Sequence, residues 1–562
     1  MSILVSKTKE QIKDCIIGAA KNAIAENLLP ESVLADFTIE TPANRDYGDY
    51  AVNAAMVWAK GFRKAPRQIA EILMQCADFD ATYVDKYEIA GPGFINIFLK
   101  NKYFADILTD IYEKGADYGK SDFGKGKKIL IEFVSANPTG PMHIGNARGG
   151  ALGDCLASVF EAAGYHTERE FYINDAGNQI NKFALSLDLR YQQLYKEGIE
   201  MPEDSYHGED IVNHAKAFAE INGNKYLEKS EEERRKALVE FALPKNIQGL
   251  HDDLLKYRIK YDTWFKESSL HKSGETARII ELLKQSGYTY TEENALWFKA
   301  TEFGCDKDFV LVRANGVPTY VVPDIAYHYN KLVTRGFDKA IDILGADHHG
   351  YVPRLKAALT ALGVDASKLD AVLMQMVRLV RDGEVIKASK RSGKAITLVT
   401  LLDEVPIDAA RFFFNLREPN SHFDFDLDLA VNESNSNPVY YVQYAYARIC
   451  SIIRNLESEG IKQRKATREE LCELNSPEER ALIYHLSALT DEIIASAKSY
   501  DPAKITHYVS ELATKFHKFY SVCRVKGEDE ALMQARLNLC SDTATVIKNI
   551  LTMLKISAPE KM

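Results

Sequence analysis

Apolar and polar positions change their period several times along this chain, and each change marks an element. Helical spacing runs from about residue 8 to 26, and the turn-rich Pro42-Ala-Asn-Arg-Asp-Tyr-Gly48-Asp49 follows. A second helix is predicted near 65–76. Tyr87–Leu99 alternates and favours β structure, with Gly91-Pro-Gly93 as its turn. The polar stretch Gly115–Lys127 has the composition of a linker. Beyond it, Ile129-Leu-Ile131 and Phe133-Val134, interrupted by Glu132, read as a parallel strand covered on both faces. Ala151, Leu152, Cys155, Leu156, Val159, Phe160 and Ala163 then repeat at helical spacing until Gly164 stops them. Strand, Pro/Gly-rich turn and amphipathic helix make the first half of a βαβ unit.

His166–Ile173 reads as a second strand, ending in Asn174-Asp175-Ala-Gly177-Asn178-Gln179. Residues 180–300 are helix-rich and heavily charged, an insertion between sheet strands. The sheet pattern resumes at Phe309–Arg313, before the hairpin signal Asn315-Gly316. Ile341–Leu344 is another short strand, and a helix starts near 353. Met374–Val380 and Glu384–Ile386 flank a second hairpin signal, Asp382-Gly383. From Pro438 the pattern is helical throughout, with helices near 438–457, 477–499, 503–525 and 530–556. The fold class is therefore multidomain α/β. An α/β module at 1–115 precedes a parallel-sheet α/β domain at 116–430 with its helical insertion at about 180–300. An all-α domain occupies 431–562.

Composition changes this picture little. A chain of 562 residues with 46% hydrophobic and 27% charged positions is ordinary for a soluble multidomain protein. No apolar run has the length of a membrane span, and residues 1–15 do not read as a signal peptide. The eight cysteines are scattered without a C-x-x-C pair, which fits free thiols in a reducing cytosol. A net charge of −10 argues against a protein that merely coats nucleic acid. The helical tail from 435 onward is nearly neutral, with 17 Lys and Arg against 16 Asp and Glu, so local patches there could still meet phosphates.

Candidate chemistry gathers at strand ends. Glu132, Asn137 and His143 converge on the first turn, and Gly145 with its small neighbours lets a ligand approach the start of the next helix, where free N–H groups suit an anion. Neither G-x-G-x-x-G nor G-x-x-x-x-G-K-[ST] occurs there. Tyr320 and Asp324 sit four apart at a strand-to-helix junction. Asp347-His348-His349 follows another strand and suits a ligand contact better than a metal, for which no further ligand stands at helical spacing. Lys387-Ala-Ser-Lys390-Arg-Ser-Gly-Lys394 places four cations in eight residues. It is either a solvated loop or a clamp for a polyphosphate. Asn96 is a solvent-face residue or a contact. Tyr440, Tyr441, Tyr444 and Tyr446 cluster with Arg448, and four tyrosines in seven residues cannot all face a bundle core.

His143-Ile-Gly-Asn146 after the first strand and Lys387-Ala-Ser-Lys390 after the last resemble the HIGH and KMSKS signatures of class I aminoacyl-tRNA synthetases. EFVSANPTGPMHIGNARG, YINDAGNQ, RANGVPTYVVPDIAYH, LGADHHGYVPRLKAAL, DAARFFF and NPVYYVQYAYARI look like arginyl-tRNA synthetase of the bacterial type, and the likeness extends to GDYAVNAA and GPGFINIF. It implies a Rossmann-like catalytic domain, an N-terminal tRNA-contacting domain and a C-terminal DALR-type anticodon-binding bundle. It implies ATP as substrate with Mg2+, L-arginine and tRNA(Arg) as partners, an arginyl-adenylate intermediate, no resident metal, and a cytoplasmic monomer. By resemblance, Glu132, Tyr320, Asp324 and His348 surround arginine, while Ser135 and Asn137 hold its α-amino and carboxylate end. His143, Gly145, Asn146, Lys387 and Lys390 serve ATP and catalysis; Phe94, Asn96, Tyr440, Tyr444 and Arg448 meet the tRNA. Two positions depart from the signatures, Asn146 for histidine and Ala388 for methionine.

Other readings remain. A cysteinyl relative would need a zinc site, and no such spacing is present. A small-molecule adenylyltransferase would have no use for the two flanking modules. A catalytically dead RNA-binding paralogue has no reason to keep Glu132, Asn137, His143, Asp324, Lys387 and Lys390.

Overall fold

The computed structural model describes residues 3–42, 44–386, 396–527 and 529–562; the signature loop at 387–394, with Lys387 and Lys390, lies outside the described residues. At the centre is a five-stranded sheet in the order Leu369–Met374, Lys339–Gly345, Lys128–Glu132, His166–Ile173, Thr263–Lys266. Every neighbouring pair is parallel. Numbered by chain position within the sheet and read from the Thr263–Lys266 edge, the order is 3-2-1-4-5, the doubly wound order that reverses between its first and fourth strands. That switch point lies between Glu132 and Asp342, which are paired across the two strands.

The first strand is buried from Ile129 to Glu132, as its apolar run demands. The helix Ile144–Ala162 packs back on it so closely that a Cβ at Gly153 would lie 2.2 Å from Cγ of Phe133. Phe133 is fully buried there, so glycine at 153 is what allows the helix to approach.

Several expectations change. The stretch read as an insertion contributes Thr263–Lys266, an edge strand of the central sheet. Phe309–Val312 does not resume that sheet; it joins Ala295–Phe298 and Thr289–Glu292 in a separate antiparallel sheet. The hairpin at Asp382-Gly383 forms as expected, both residues taking positive φ. Residues 54–62 and 101–114 are helices that the pattern did not separate from their surroundings. The supposed linker is packed rather than solvated. Tyr118 is 3% exposed and donates to Leu486 O at 3.1 Å, and Asn549 donates to Gly115 O at 2.9 Å.

The C-terminal helices run over Pro438–Ser458, Pro477–Ser487, Leu489–Ser499, Ala503–Val522 and Glu530–Met553. The expected single helix at 477–499 breaks at Ala488 without glycine or proline. Tyr508 Oη donates to His485 O at 2.6 Å and Tyr118 Oη to Leu486 O, so two phenols take the terminal carbonyls of the first segment. Asn101 and Arg480 join the N-terminal module to this bundle, the Asn101 amide reaching Cys472 O at 3.0 Å. Among the described residues no helix is long and apolar enough to cross a membrane.

Candidate active site

The crevice opens at the carboxyl ends of the central strands, where the sheet order reverses. The chain leaves the first strand through a tight turn in which Val134 (φ 68°) and Ser135 (φ 40°) are both left-handed. A β-branched residue there is strained by about 1–3 kcal/mol. The bend turns Ser135 back, so that its Oγ donates to Glu132 Oε1 at 2.8 Å and accepts from the Tyr172 N–H at 3.1 Å.

Glu132 and Asp342 would repel one another across the sheet, and Lys331 resolves this. Its fully buried ammonium lies 2.5 Å from Glu132 Oε2 and 2.9 Å from Asp342 Oδ1. Asp342 Oδ2 lies 2.6 Å from His328 Nε2. His328 Nδ1 lies 2.8 Å from the Asp324 carbonyl and 3.1 Å from its carboxylate. Both ring nitrogens face acceptors, so the ring is an imidazolium. Burial and Lys331 push His328 down, but Asp342 and Asp324 outweigh them and carry its pKa up to about 10. Burial pushes Glu132 up against the pull of Lys331, while Lys331 and His328 hold Asp342 well below the usual carboxylate range. Asp324 is also lowered, its burial outweighed by His328.

Glu132, His328 and Asp342 converge as ligands around a metal would. The Lys331 ammonium stands in the cation's place. Three carboxylates (Glu132, Asp342, Asp324) face two cations (Lys331, His328), leaving one formal negative charge in excess. The side chain of Asp324 keeps 29% of its exposure, against 11% for Glu132 and 6% for Asp342, so Asp324 presents that charge to the crevice.

Around this network the expected residues divide. Tyr320, one helical turn before Asp324, is 71% exposed and lies 5.9 Å ring to ring from Tyr351. His348 is half exposed just past the strand Lys339–Gly345. Asn137 is exposed, whereas Glu132 and Ser135 are already hydrogen-bonded to one another. His143 is exposed at the N-cap of Ile144–Ala162, and nothing lies within 4 Å of where a Cβ on Gly145 would stand. Asn146 Oδ1 accepts the His143 N–H at 3.1 Å, the return half of a capping box. That gives the departure from histidine a structural use. Ile396 O accepts the Ile144 N–H at 3.2 Å and Leu398 N–H donates to Met142 O at 2.9 Å, so the chain following the signature loop is stitched to the His143 turn.

Away from the crevice, Phe94 is 37% exposed, while Asn96, in the middle of the strand Phe94–Leu99, is 4% exposed. Tyr440 and Tyr444 are half-buried and stack at 6.4 Å with an interplanar angle of 6°. Tyr444 continues onto His517 at 5.9 Å, and the Arg448 guanidinium lies 4.5 Å from the Tyr520 ring.

Sequence reasoning missed Lys331, His328 and Asp342. Asp342 had a signal, a carboxylate in the middle of the apolar strand Ala340-Ile-Asp-Ile-Leu344. Lys331 and His328 had none beyond helical spacing, and Lys331 lies in a π-helical turn, Asn330–Thr334, that no spacing rule anticipates.

Three family models match the chain: "Arginyl tRNA synthetase N terminal domain" over residues 7–99, "tRNA synthetases class I (R), catalytic domain" over 108–426, and "DALR anticodon binding domain" over 442–562. The arginine–tRNA ligase of Acetivibrio thermocellus is 52% identical, and that of Caldanaerobacter subterraneus 53%, each over the full length of both chains. Among solved structures, Thermus thermophilus arginyl-tRNA synthetase aligns with TM-score 0.74 at 21% identity, covering 99% of this chain and 100% of that one. The Plasmodium falciparum arginyl-tRNA synthetase aligns with TM-score 0.70 at 20% identity, covering 99% of each. The crevice at the switch point, the flanking modules and these likenesses agree, and the chain belongs to the class I arginyl-tRNA synthetases.

Proposed function

We propose that the protein attaches L-arginine to tRNA(Arg) in two steps at the switch-point crevice, with Mg2+-ATP as the activating substrate. An oxygen of the arginine carboxylate attacks the α-phosphorus of ATP, and the bond to the β-phosphate oxygen breaks to release pyrophosphate. A terminal ribose hydroxyl of the tRNA then attacks the carbonyl of the arginyl-adenylate, losing its proton as AMP leaves. No enzyme nucleophile is needed, so catalysis is positioning and electrostatic stabilisation.

The observation that carries this reading is the excess negative charge presented by Asp324. A planar guanidinium is the cation that such a carboxylate binds through two N–H donors, and Tyr320 lies beside it to cover the group's flat face. Glu132 acts from behind, through the ion pairs that fix Asp342 and His328 and so hold Asp324. Ser135 and Asn137 serve the amino-acid end, and His348 stands with Tyr320 around arginine. His143 and the open helix start at Gly145 take the ATP phosphates, and Asn146 fixes that turn. Lys387 and Lys390 belong to the segment whose far end is hydrogen-bonded to Met142 and Ile144, which supports their closing over the same phosphates. Phe94, backed by Asn96, and the Tyr440–Tyr444 stack with Arg448 contact the tRNA. Free cysteines throughout suit the cytoplasm, and a chain that carries all three modules suits a monomer.

ATP–pyrophosphate exchange with each of the twenty amino acids, with and without tRNA, tests the reading. Arginine alone is expected to support exchange. Exchange with another amino acid, or none in the presence of tRNA, overturns it. A Lys390→Ala variant with full activity would overturn the loop assignment alone.

A further inference from the structure

The Asp324 carboxylate has one oxygen, Oδ1, 3.1 Å from His328 Nδ1. A bidentate guanidinium needs both oxygens in its own plane, and a single donor leaves the carboxylate free to turn about its Cβ–Cγ bond. A second donor would fix that plane, and the aromatic lining of the crevice holds one. Tyr172 and Tyr327 stack at 4.5 Å, but their hydroxyls are committed, Tyr172 Oη to Glu267 at 2.9 Å and Tyr327 Oη to Glu170 at 2.6 Å. Tyr320 stands at the rim, exposed. Tyr351 differs from all three. Its hydroxyl is sealed from solvent and closes no hydrogen bond of good geometry among the described residues. A buried phenol left in that state is rare in folded proteins.

The local chain explains why Tyr351 sits there. It is the N-cap of the helix Val352–Ala361, and its side chain takes no part in the capping. Its N–H donates to His348 O at 2.9 Å, and its carbonyl accepts the Arg354 N–H at 3.1 Å. With the backbone held on both sides, the ring packs against the apolar cluster that joins this helix to Val321–Tyr329, the helix of Asp324. The ring centre lies 5.9 Å from that of Tyr320 at an interplanar angle of 30°. That is closer than the roughly 7 Å a guanidinium sandwiched between two rings would need, so Tyr351 backs Tyr320 and does not face the substrate. Its hydroxyl acts on Asp324. Burial raises that carboxyl, and His328 and then the Tyr351 hydroxyl pull it down. In return, burial and the Asp324 charge push the Tyr351 phenol well above its ordinary range, so it keeps its proton and remains a donor.

We infer that Tyr351 is a positioning residue for arginine: its hydroxyl donates to Asp324 and sets the plane of the carboxylate, while its ring holds Tyr320 against the guanidinium. The hydrogen bond closes when a bound guanidinium draws the carboxylate into its plane. One side chain at the start of a separate helix thereby steadies both surfaces that meet the substrate's charged end. Tyr351 touches no reacting atom, so it bears on arginine binding and leaves adenylate formation alone. This rests on the arginylation reading above.

The test is steady-state arginylation of tRNA(Arg) by the full-length protein, comparing wild type with Tyr351→Phe, Tyr351→Leu, Asp324→Asn and the double variant Asp324→Asn/Tyr351→Phe. Phenylalanine keeps the ring and removes only the hydroxyl. It is expected to raise the KM for arginine roughly tenfold, the size of one hydrogen bond to a charged group, with kcat and the KM for ATP near wild type. Leucine also removes the support for Tyr320 and should raise the KM for arginine further. Because the hydroxyl acts through Asp324, adding Tyr351→Phe to Asp324→Asn should raise that KM no further. A Tyr351→Phe protein with the wild-type KM for arginine would overturn the proposal. So would a rise shared equally by the KM for ATP, which marks a loosened fold, or a step of the same size that persists in the Asp324→Asn background. If the wild type itself fails to charge tRNA(Arg) with arginine, the function reading fails instead, and the two failures are told apart.

Discussion

Lys331 shows how one residue can decide a site. Its ammonium joins two carboxylates that the sheet places side by side, and its own side chain is wholly buried. Removing one member of a buried ion network leaves the others uncompensated, at a cost of about 3–5 kcal/mol. Lys331→Met should lower the denaturant-unfolding free energy of the catalytic domain by that amount; a change within experimental scatter would mean the network is dispensable. His328 adds a pH signature. Its pKa in the fold, about 10, stands above the ~6.5 of an exposed imidazole, so its contribution is complete below about pH 6.5 and disappears as pH rises through 10. His328→Gln should flatten the fall in stability between those values, and an equally steep fall in the variant would contradict the imidazolium assignment. Of this network only Glu132 and Asp324 could be read from motifs. His328 follows Asp324 by one turn of the same helix, but Lys331 and Asp342, which set the charge of Glu132, come from a π turn and a different strand, and proximity of that kind leaves no periodic trace.

At the scale of elements, what could be read was what periodicity controls. The strand before Glu132, the helix after His143 and the amphipathic tail helices fall within a few residues of where their patterns put them. Short half-buried segments could not be placed. Thr263–Lys266 is four residues with no alternation, embedded among charged helices, and becomes a sheet strand through partners nearly a hundred residues away. Phe309–Val312 is apolar enough for a central strand but is captured by its neighbouring hairpin. The helix at Ala488 ends where tyrosines from other segments take its carbonyls. Gly153 is a sharper case of local control. Its methylated version, Gly153→Ala, puts a carbon into Phe133 and should cost about 1–3 kcal/mol, with the His143 turn displaced along with the helix. Thermal unfolding together with the KM for ATP would register both effects, and a variant unchanged in both would show that the helix has room to move.

Across the whole molecule, buried polar side chains tie the catalytic domain to the helical bundle. Arg411 is fully buried; it pairs with Asp154 of the catalytic helix and donates to Tyr257 O and, at 2.7 Å, to Leu554 O just beyond the last helix. Arg258 reaches Asp408 and Lys555 O on the same seam. Tyr500 of the bundle donates to Asp370 on the outermost central strand at 2.6 Å. Such contacts join residues more than a hundred positions apart, which is why composition suggested separable domains while the chain folds around shared seams. What they hold in place is a crevice with one uncompensated negative charge. The most direct measurement of that claim is activation of arginine against citrulline, which has nearly the same shape and no charge, in wild type and in Asp324→Asn. The wild type should favour arginine by a factor on the order of 10³ or more, and the variant should lose most of that preference through the KM for arginine while keeping its KM for ATP. Comparable activation of citrulline by the wild type, or an unaltered preference in Asp324→Asn, would contradict the account.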